Sequence, residues 1–348
     1  MARPRRIVVC DRSASGARAL TRFLEHDPGL EVAGAFGDLD AMLPRLGEIA
    51  PDLIALDLET AGADVAAAVE RVVREESAPV LVLGGNAGGD EERLAEALAA
   101  GALEAIPGDR LRLDEREGVW ATALRSRIKR LASVRLKRRA GGSGPGVPPA
   151  PRAWRSLGST YRAVGIGASV GGPPALAAVL GRLPRDFPLP VLVVQHMAPG
   201  FGGGLARWLD RIVPPPVDLA TDGAILQPGV WMAPEGAHLR LGPTMRLSLD
   251  RETERGAHRP SLDVLFESLA SSAGQEAAGV VLTGMGRDGA EGVRAIGAAG
   301  GLTIAQDERT SAVFGMPGAA IESGVDLVLP LEELASRLAT LRARSAVR

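Results

Sequence analysis

Cysteine is almost absent: Cys10 stands alone in 348 residues, so no disulfide closes within the chain and no cysteine cluster holds a metal. It lies in the apolar run Ile7-Val8-Val9-Cys10, which reads as a buried thiol rather than a reactive one. Aromatic residues are scarce, at 3%, whereas glycine (44) and proline (25) are frequent. Cores must therefore be built from Ala, Val, Leu and Ile between many tight turns, a composition that favours α/β over all-β. An excess of one charge is also missing: the formal net charge of -2 excludes a global pull toward nucleic acid or an anionic membrane surface. No run approaches the roughly 18 apolar residues of a membrane span. The basic N-terminus is followed by a short apolar run that breaks at Asp11 and Arg12, unlike a secretory signal. A cytoplasmic chain without membrane insertion is expected, long enough for two hydrophobic cores.

What is present is an alternation of short apolar runs with amphipathic stretches. Ile7–Cys10, Leu53–Leu56 and Val80–Leu83 read as strands; 17–26, 65–75 and 91–100 read as helices. This pattern predicts βαβ units on a parallel sheet over residues 1–124. Asp11 and Asp57 follow two of the strands, where the carboxyl-end loops of such a sheet converge. A basic stretch, Arg125 to Arg139, then runs into the Gly/Pro-rich Gly141–Pro151. Residues 125–158 read as a solvated helix end and linker rather than a nucleic-acid patch, since no aromatics interleave the charges. From 159 to 348 the alternation restarts and predicts a second doubly wound sheet, with a small antiparallel excursion between Val217 and Asp250 where Pro-Gly and Gly-Pro turns crowd.

Three residues of this second half fall at predicted strand ends. Ser169, in Gly165-Ile-Gly-Ala-Ser-Val-Gly-Gly172, sits at a strand-to-helix turn where free backbone amides are available to an oxyanion. Alone the segment is also open to readings as a structural turn or a phosphate loop. A dinucleotide loop, and with it an oxidoreductase, is disfavoured because Val170 stands where the fingerprint needs glycine and no acid ends the next strand. That strand ends instead in Gln195-His196, which puts an imidazole on the same sheet edge as the serine. His238 and His258 follow turn-rich segments and are weaker candidates for the base. Asp288, in Thr283-Gly-Met-Gly-Arg-Asp-Gly289, is either a helix-start aspartate or the orienter of His196, with the Met285 amide as a further oxyanion donor. Nucleophile, base and orienter on one edge argue for hydrolysis by a serine nucleophile. The competing reading is a non-enzymatic signalling adapter.

With these motifs the sequence resembles the chemotaxis protein-glutamate methylesterase family over nearly its whole length. Gly167-Ala168-Ser169 with Gly171-Gly172, Gln195-His196-Met197 with Pro199-Gly200-Phe201, His258-Arg259-Pro260-Ser261, Thr283–Gly289 and Phe314-Gly-Met-Pro317 carry the likeness. The resemblance implies a flavodoxin-like receiver domain followed by a three-layer α/β methylesterase domain. It also implies that Ser169, His196 and Asp288 form the triad that hydrolyses glutamate methyl esters on chemoreceptor helices, with glutamine deamidation in many members. Val170 stands where threonine is common, which leaves its backbone amide as an oxyanion donor. No cofactor is expected for this catalysis.

The receiver half departs from the family pattern. Asp57 takes the phosphoacceptor place and Asp11 one of the two acid places that hold Mg²⁺, but the second acid is Arg12. Gly84 and Gly108 stand at the hydroxyl and lysine places. Mg²⁺ loses a ligand and gains a repulsive charge, while the phosphoryl group loses two partners. The expectation is a receiver that folds but accepts phosphate poorly from a chemotaxis histidine kinase, with Arg12 paired to Asp57.

Overall fold

A computed structural model describes residues 3–343 except 76–77, 86–88, 135–159, 198–199 and 256–257. The chain divides into two compact units, Met1–Ala140 and Gly141–Arg348. The Gly/Pro-rich stretch 141–151 lies outside the described residues. No described helix is long and apolar enough to cross a membrane.

The first unit has strands β1 (Arg5–Cys10), β2 (Leu30–Phe36), β3 (Leu53–Asp57), β4 (Val80–Leu83) and β5 (Glu104–Ile106). All pair in parallel in the order β2-β1-β3-β4-β5, the flavodoxin-like arrangement. The continuous apolar runs of β1, β3 and β4 reflect burial on both faces. Edge strand β2 has no such run, and its sequence LEVAGAF gave no comparable signal. Helices α1 (Ala14–Leu24), α2 (Leu39–Ile49), α3 (Leu58–Ala61), α4 (Val65–Glu75), α5 (Glu91–Ala99) and α6 (Val119–Leu131) connect and cover the sheet. In α4 the buried positions Val65, Ala68, Val69 and Val72 make one helical stripe. The last turns of α6, grouped with a solvated linker on sequence grounds, pack on this unit instead. Arg125 is buried with its guanidinium 5.0 Å from the Phe23 ring centroid, Lys129 Nζ lies 2.6 Å from Asp27, and Arg127 pairs with Glu104.

The second unit begins with β6 (Thr160–Tyr161) and β7 (Ala163–Ala168), then α7 (Gly172–Leu180), β8 (Pro190–Gln195) and α8 (Gly202–Ile212). It continues through β9 (Val217–Leu219), β10 (Gly229–Met232), β11 (His238–Leu241) and β12 (Leu247–Asp250) to α9 (Leu262–Ala273). After β13 (Ala277–Val281) come α10 (Ala290–Ala298), β14 (Leu302–Gln306), α11 (Met316–Glu322), β15 (Leu327–Leu329), α12 (Leu331–Ala339) and β16 (Arg342–Ala343). The main sheet is parallel, in the order β15-β14-β13-β7-β8-β10-β9. Helices α7, α8 and α12 pack together as one layer and α9, α10 and α11 as another. The antiparallel excursion is smaller than its turn-rich sequence suggests. Among the described residues β11 and β12 pair antiparallel, with one isolated antiparallel bridge between Ile225 and Arg246, whereas β9 and β10 join the main sheet.

Strand order reverses between β7 and β13, since the chain winds outward from β7 through β8 and later returns to β13. Such a switch point opens a crevice at the carboxyl ends of the strands. Glycines let α9 press onto the sheet there. A Cβ at Gly165 would lie 2.5 Å from Leu269 and one at Gly279 3.1 Å from Phe266, while one at Gly167 would overlap Leu262.

Candidate active site

Ser169 follows β7 directly, His196 follows β8, and Asp288 lies in the turn after β13. Ala168 and Gln195 are register partners and the His196 amide donates to Ala168 O at 2.9 Å, so serine and histidine leave adjacent strands side by side. Gln195, itself buried, clamps them: its Nε2 donates to Ser169 O and to His196 O, both at 2.8 Å. Gly172 must be glycine because a Cβ there would overlap the Gln195 side chain, and a Cβ at Gly284 would come 2.8 Å from Ser169 Cβ. The Ser169 amide is spent on Thr283 O at 3.0 Å. The amides of Val170 and Met285 have no hydrogen bond among the described residues.

His196 Nε2 lies 2.8 Å from Asp288 Oδ2. Nε2 donates in that pair, which leaves Nδ1 as the basic nitrogen. Nδ1 is buried and has no hydrogen-bond partner among the described residues. Nor does the Ser169 hydroxyl have one, although its residue is 9% exposed. The imidazole Nδ1 and the Ser169 hydroxyl, at the ends of neighbouring strands, thus each retain an unfilled hydrogen-bonding valence among the described residues.

Asp288 is held by the start of α9. Its Oδ1 accepts from Ser261 Oγ (2.8 Å) and the Asp263 amide (3.0 Å), and its Oδ2 accepts from the Leu262 amide at 2.7 Å. Burial alone would raise its pKa, but the hydrogen bond and charge of His196 and the Leu262 and Asp263 amides outweigh it. The carboxyl is held well below the usual range and stays ionised beside the His196 ring. Asp263 in turn accepts from the Gly289 and Gly292 amides at 2.9 and 2.7 Å, so each aspartate caps the helix that follows the other. Burial, reinforced by the charge of Asp288, pushes the Asp263 carboxyl up.

Sequence reasoning assigned no role to Ser261, Gln195 or the Phe314–Pro317 motif. The structure gives that motif one, since the Gly315 and Met316 amides donate to Gly284 O at 3.0 and 2.8 Å and so hold the turn before Asp288. His238 is not at the site. It is fully buried, donates from Nε2 to Thr253 O at 3.0 Å and accepts the Ser261 amide at Nδ1; burial pushes its pKa down. A cleft of 330 Å³ has Gln195, Met197, Met232, Glu235 and Arg259 in its walls. Glu235 is occupied as a helix cap, accepting the Gly200, Phe201 and Gly202 amides.

In the first unit Asp57 ends β3 and Asp11 follows β1. Burial, with the nearby charge of Asp57, raises the Asp11 carboxyl against the pull of the Ser13 amide. The expected Arg12–Asp57 pair is not formed. Arg12 reaches Glu59 at 3.4 Å, and Asp57 spends Oδ2 on the Thr60 amide (2.9 Å) and hydroxyl (3.0 Å) as the cap of α3. The four-residue helix α3 explains the difference, because it turns Thr60 back onto Asp57 and offers Glu59 to Arg12. Gly84 has φ +103° and a Cβ there would lie 2.8 Å from Asp57 Oδ1; one at Gly108 would lie 2.9 Å from Gly85 O. No group of three acidic, histidine or cysteine side chains suited to a metal exists among the described residues. Two carboxylates beside an arginine do not fit the receiver's Mg²⁺ set.

A flavodoxin-like unit followed by a doubly wound unit with serine, histidine and aspartate at one rim defines the class: a two-domain α/β hydrolase. The model of the CheB methylesterase family matches residues 164–338, and the chain belongs to that family. A relative from Anaeromyxobacter dehalogenans, named protein-glutamate methylesterase/protein-glutamine glutaminase 2, is 42% identical over 97% of both chains. One of the same name from Pseudomonas aeruginosa is 37% identical over 98% of both. The crystal structure of the Thermotoga maritima CheB methylesterase catalytic domain, 38% identical, covers 52% of this chain and 98% of its own, with a TM-score of 0.50.

Proposed function

We propose that the second unit hydrolyses glutamate methyl esters, and deamidates glutamines, on the cytoplasmic helices of chemoreceptors in chemotaxis adaptation, with Ser169 as nucleophile, His196 as base and Asp288 as orienter. The observation that carries the reading is the ionised Asp288 on Nε2 of a histidine whose Nδ1 is unpartnered and which leaves the strand next to that of Ser169. The Ser169 hydroxyl adds to the ester carbonyl while its proton passes to Nδ1. The oxyanion so formed takes hydrogen bonds from the Val170 and Met285 amides. Nδ1–H then protonates the methoxy oxygen, methanol leaves, and water activated by the same nitrogen cleaves the acyl-serine to the free carboxylate. With glutamine the leaving group is ammonia and the protons follow the same route. Every step uses side chains and amides of this chain.

The first unit, in this reading, is a receiver that accepts phosphate poorly from a histidine kinase, because its Asp57 is already capped by Thr60 and lacks hydroxyl, lysine and second-acid partners. Regulation then runs through docking or partner binding. Methanol release from methylated receptor membranes tests the first claim: Ser169→Ala abolishes it, and retained release sinks the assignment. Kinase-dependent phosphorylation of Asp57 with Mg²⁺ at ordinary receiver rates refutes the second.

A further inference from the structure

The chain has 4 histidines. His26 belongs to the first unit, His196 is the base and His238 is consumed in the core. The fourth, His258, is exposed, yet its ring lies flat against His196, with centroids 4.2 Å apart and planes 12° from parallel. The sequence offered it as a weaker candidate for the base, and the stack suggests a different use.

The Cβ–Cγ bond and a single hydrogen bond from Nε2 to Asp288 hold the His196 ring close to one axis and leave it free to rotate about that axis. Proton transfer from Ser169 depends on where the opposite nitrogen points. A parallel ring on one face removes that rotation without touching either nitrogen. The segment that supplies this ring is anchored at several points. The Arg259 guanidinium donates to Arg251 O at 2.6 Å and Thr253 O at 3.0 Å, and the Ser261 amide donates to the buried Nδ1 of His238 at 3.1 Å. Just beyond, Ser261 Oγ and the Leu262 and Asp263 amides bind Asp288. One short stretch, His258 to Asp263, therefore bears on both the base and its orienter.

We propose that His258 is a positioning residue for the reaction: its imidazole, stacked on His196, fixes the plane of the base so that Nδ1 faces Ser169. The inference rests on the Ser169–His196–Asp288 reading. It uses the ring and not the nitrogens of His258, so any flat aromatic ring of similar size serves.

The test compares His258→Ala, His258→Asn and His258→Phe in the full chain, by methanol release and by the rate at which a fluorophosphonate labels Ser169. An aromatic stack accounts for between about threefold and about tenfold in rate. Ala and Asn lower kcat and the labelling rate by that factor with KM unchanged, and Phe restores most of both. Wild-type rates in His258→Ala, a loss confined to KM, or failure of Phe to restore what Ala loses each overturn the proposal. Labelling that persists in Ser169→Ala refutes the nucleophile, and this inference falls with it. Labelling lost in Ser169→Ala but unchanged in His258→Ala leaves the nucleophile standing and removes only the stack.

Discussion

Replacing Asp288 by asparagine tests most of the site at once, because the carboxylate serves four donors with two oxygens. Oδ2 takes His196 Nε2 and the Leu262 amide, while Oδ1 takes Ser261 Oγ and the Asp263 amide. Asparagine keeps one oxygen and presents two N–H groups in place of the other. Whichever way it turns, one backbone amide at the start of α9 faces a donor. The loss is one charge-assisted hydrogen bond, about 1.5–3 kcal/mol, and α9 loosens. If the amide nitrogen faces His196, Nε2 must accept, the ring proton moves to Nδ1, and the base is in the wrong tautomer. If the oxygen faces His196, the tautomer survives but the negative charge that stabilised the imidazolium is gone. Both outcomes lower kcat, by about 10²- to 10⁴-fold, with little change in KM, and both lower the melting temperature. Methanol release under saturating substrate and a thermal melt read the two effects. An Asp288→Asn enzyme within tenfold of wild-type kcat would refute the orienter role.

Three further outcomes follow from the same geometry. Asp263→Asn keeps an oxygen for the Gly289 and Gly292 amides but removes a carboxyl that burial and Asp288 push up to about 6. A raised carboxyl pKa contributes stability that is fully present below the ordinary 3.8 and is lost as pH rises from there to about 6, so the variant should melt higher than wild type at pH 7.5, and the gain should shrink as pH falls below about 6 and vanish only below 3.8. Gly167→Ala places a methyl against Leu262 and drives α9 off the sheet, costing about 1–3 kcal/mol; thermal melting should fall and kcat with it, and unchanged kcat would separate α9 from the site. Cys10 is buried in β1 with its thiol pushed up to about 12 by burial and by the charges of Asp38, Asp11 and Asp57, so a thiol reagent at pH 8 should label it only after denaturant is added.

Much of this was legible in the sequence, and the reasons differ by residue. Ser169, His196 and Asp288 were readable because apolar strand runs end beside them and parallel strands deliver their ends to one rim. Which nitrogen of His196 meets Asp288 was not readable, since it depends on how deeply α9 sits. That depth is set by Gly165, Gly167 and Gly279, whose meaning lies in partners about 100 residues away in Gly165 and Gly167. The stacking of His258 was hidden for a similar reason, because rings meet by tertiary packing and no periodicity records it. At the receiver rim, strand patterning located Asp11 and Asp57 but gave the wrong partner for Arg12. The short helix α3 has too few residues to show a period, and it is α3 that supplies Glu59 and Thr60.

The crossed arrangement, in which Asp288 holds the start of α9 and Asp263 the start of α10, has a mechanical consequence. Neither helix frays from its first turn without also stripping the carboxylate that tethers its neighbour, so the two part as a unit or stay together. Parting them withdraws the anchor from His196. Opening of this one pair of helices is thereby expected to silence the site while both β-sheets stay folded, which loss of methanol release below the main thermal transition would register.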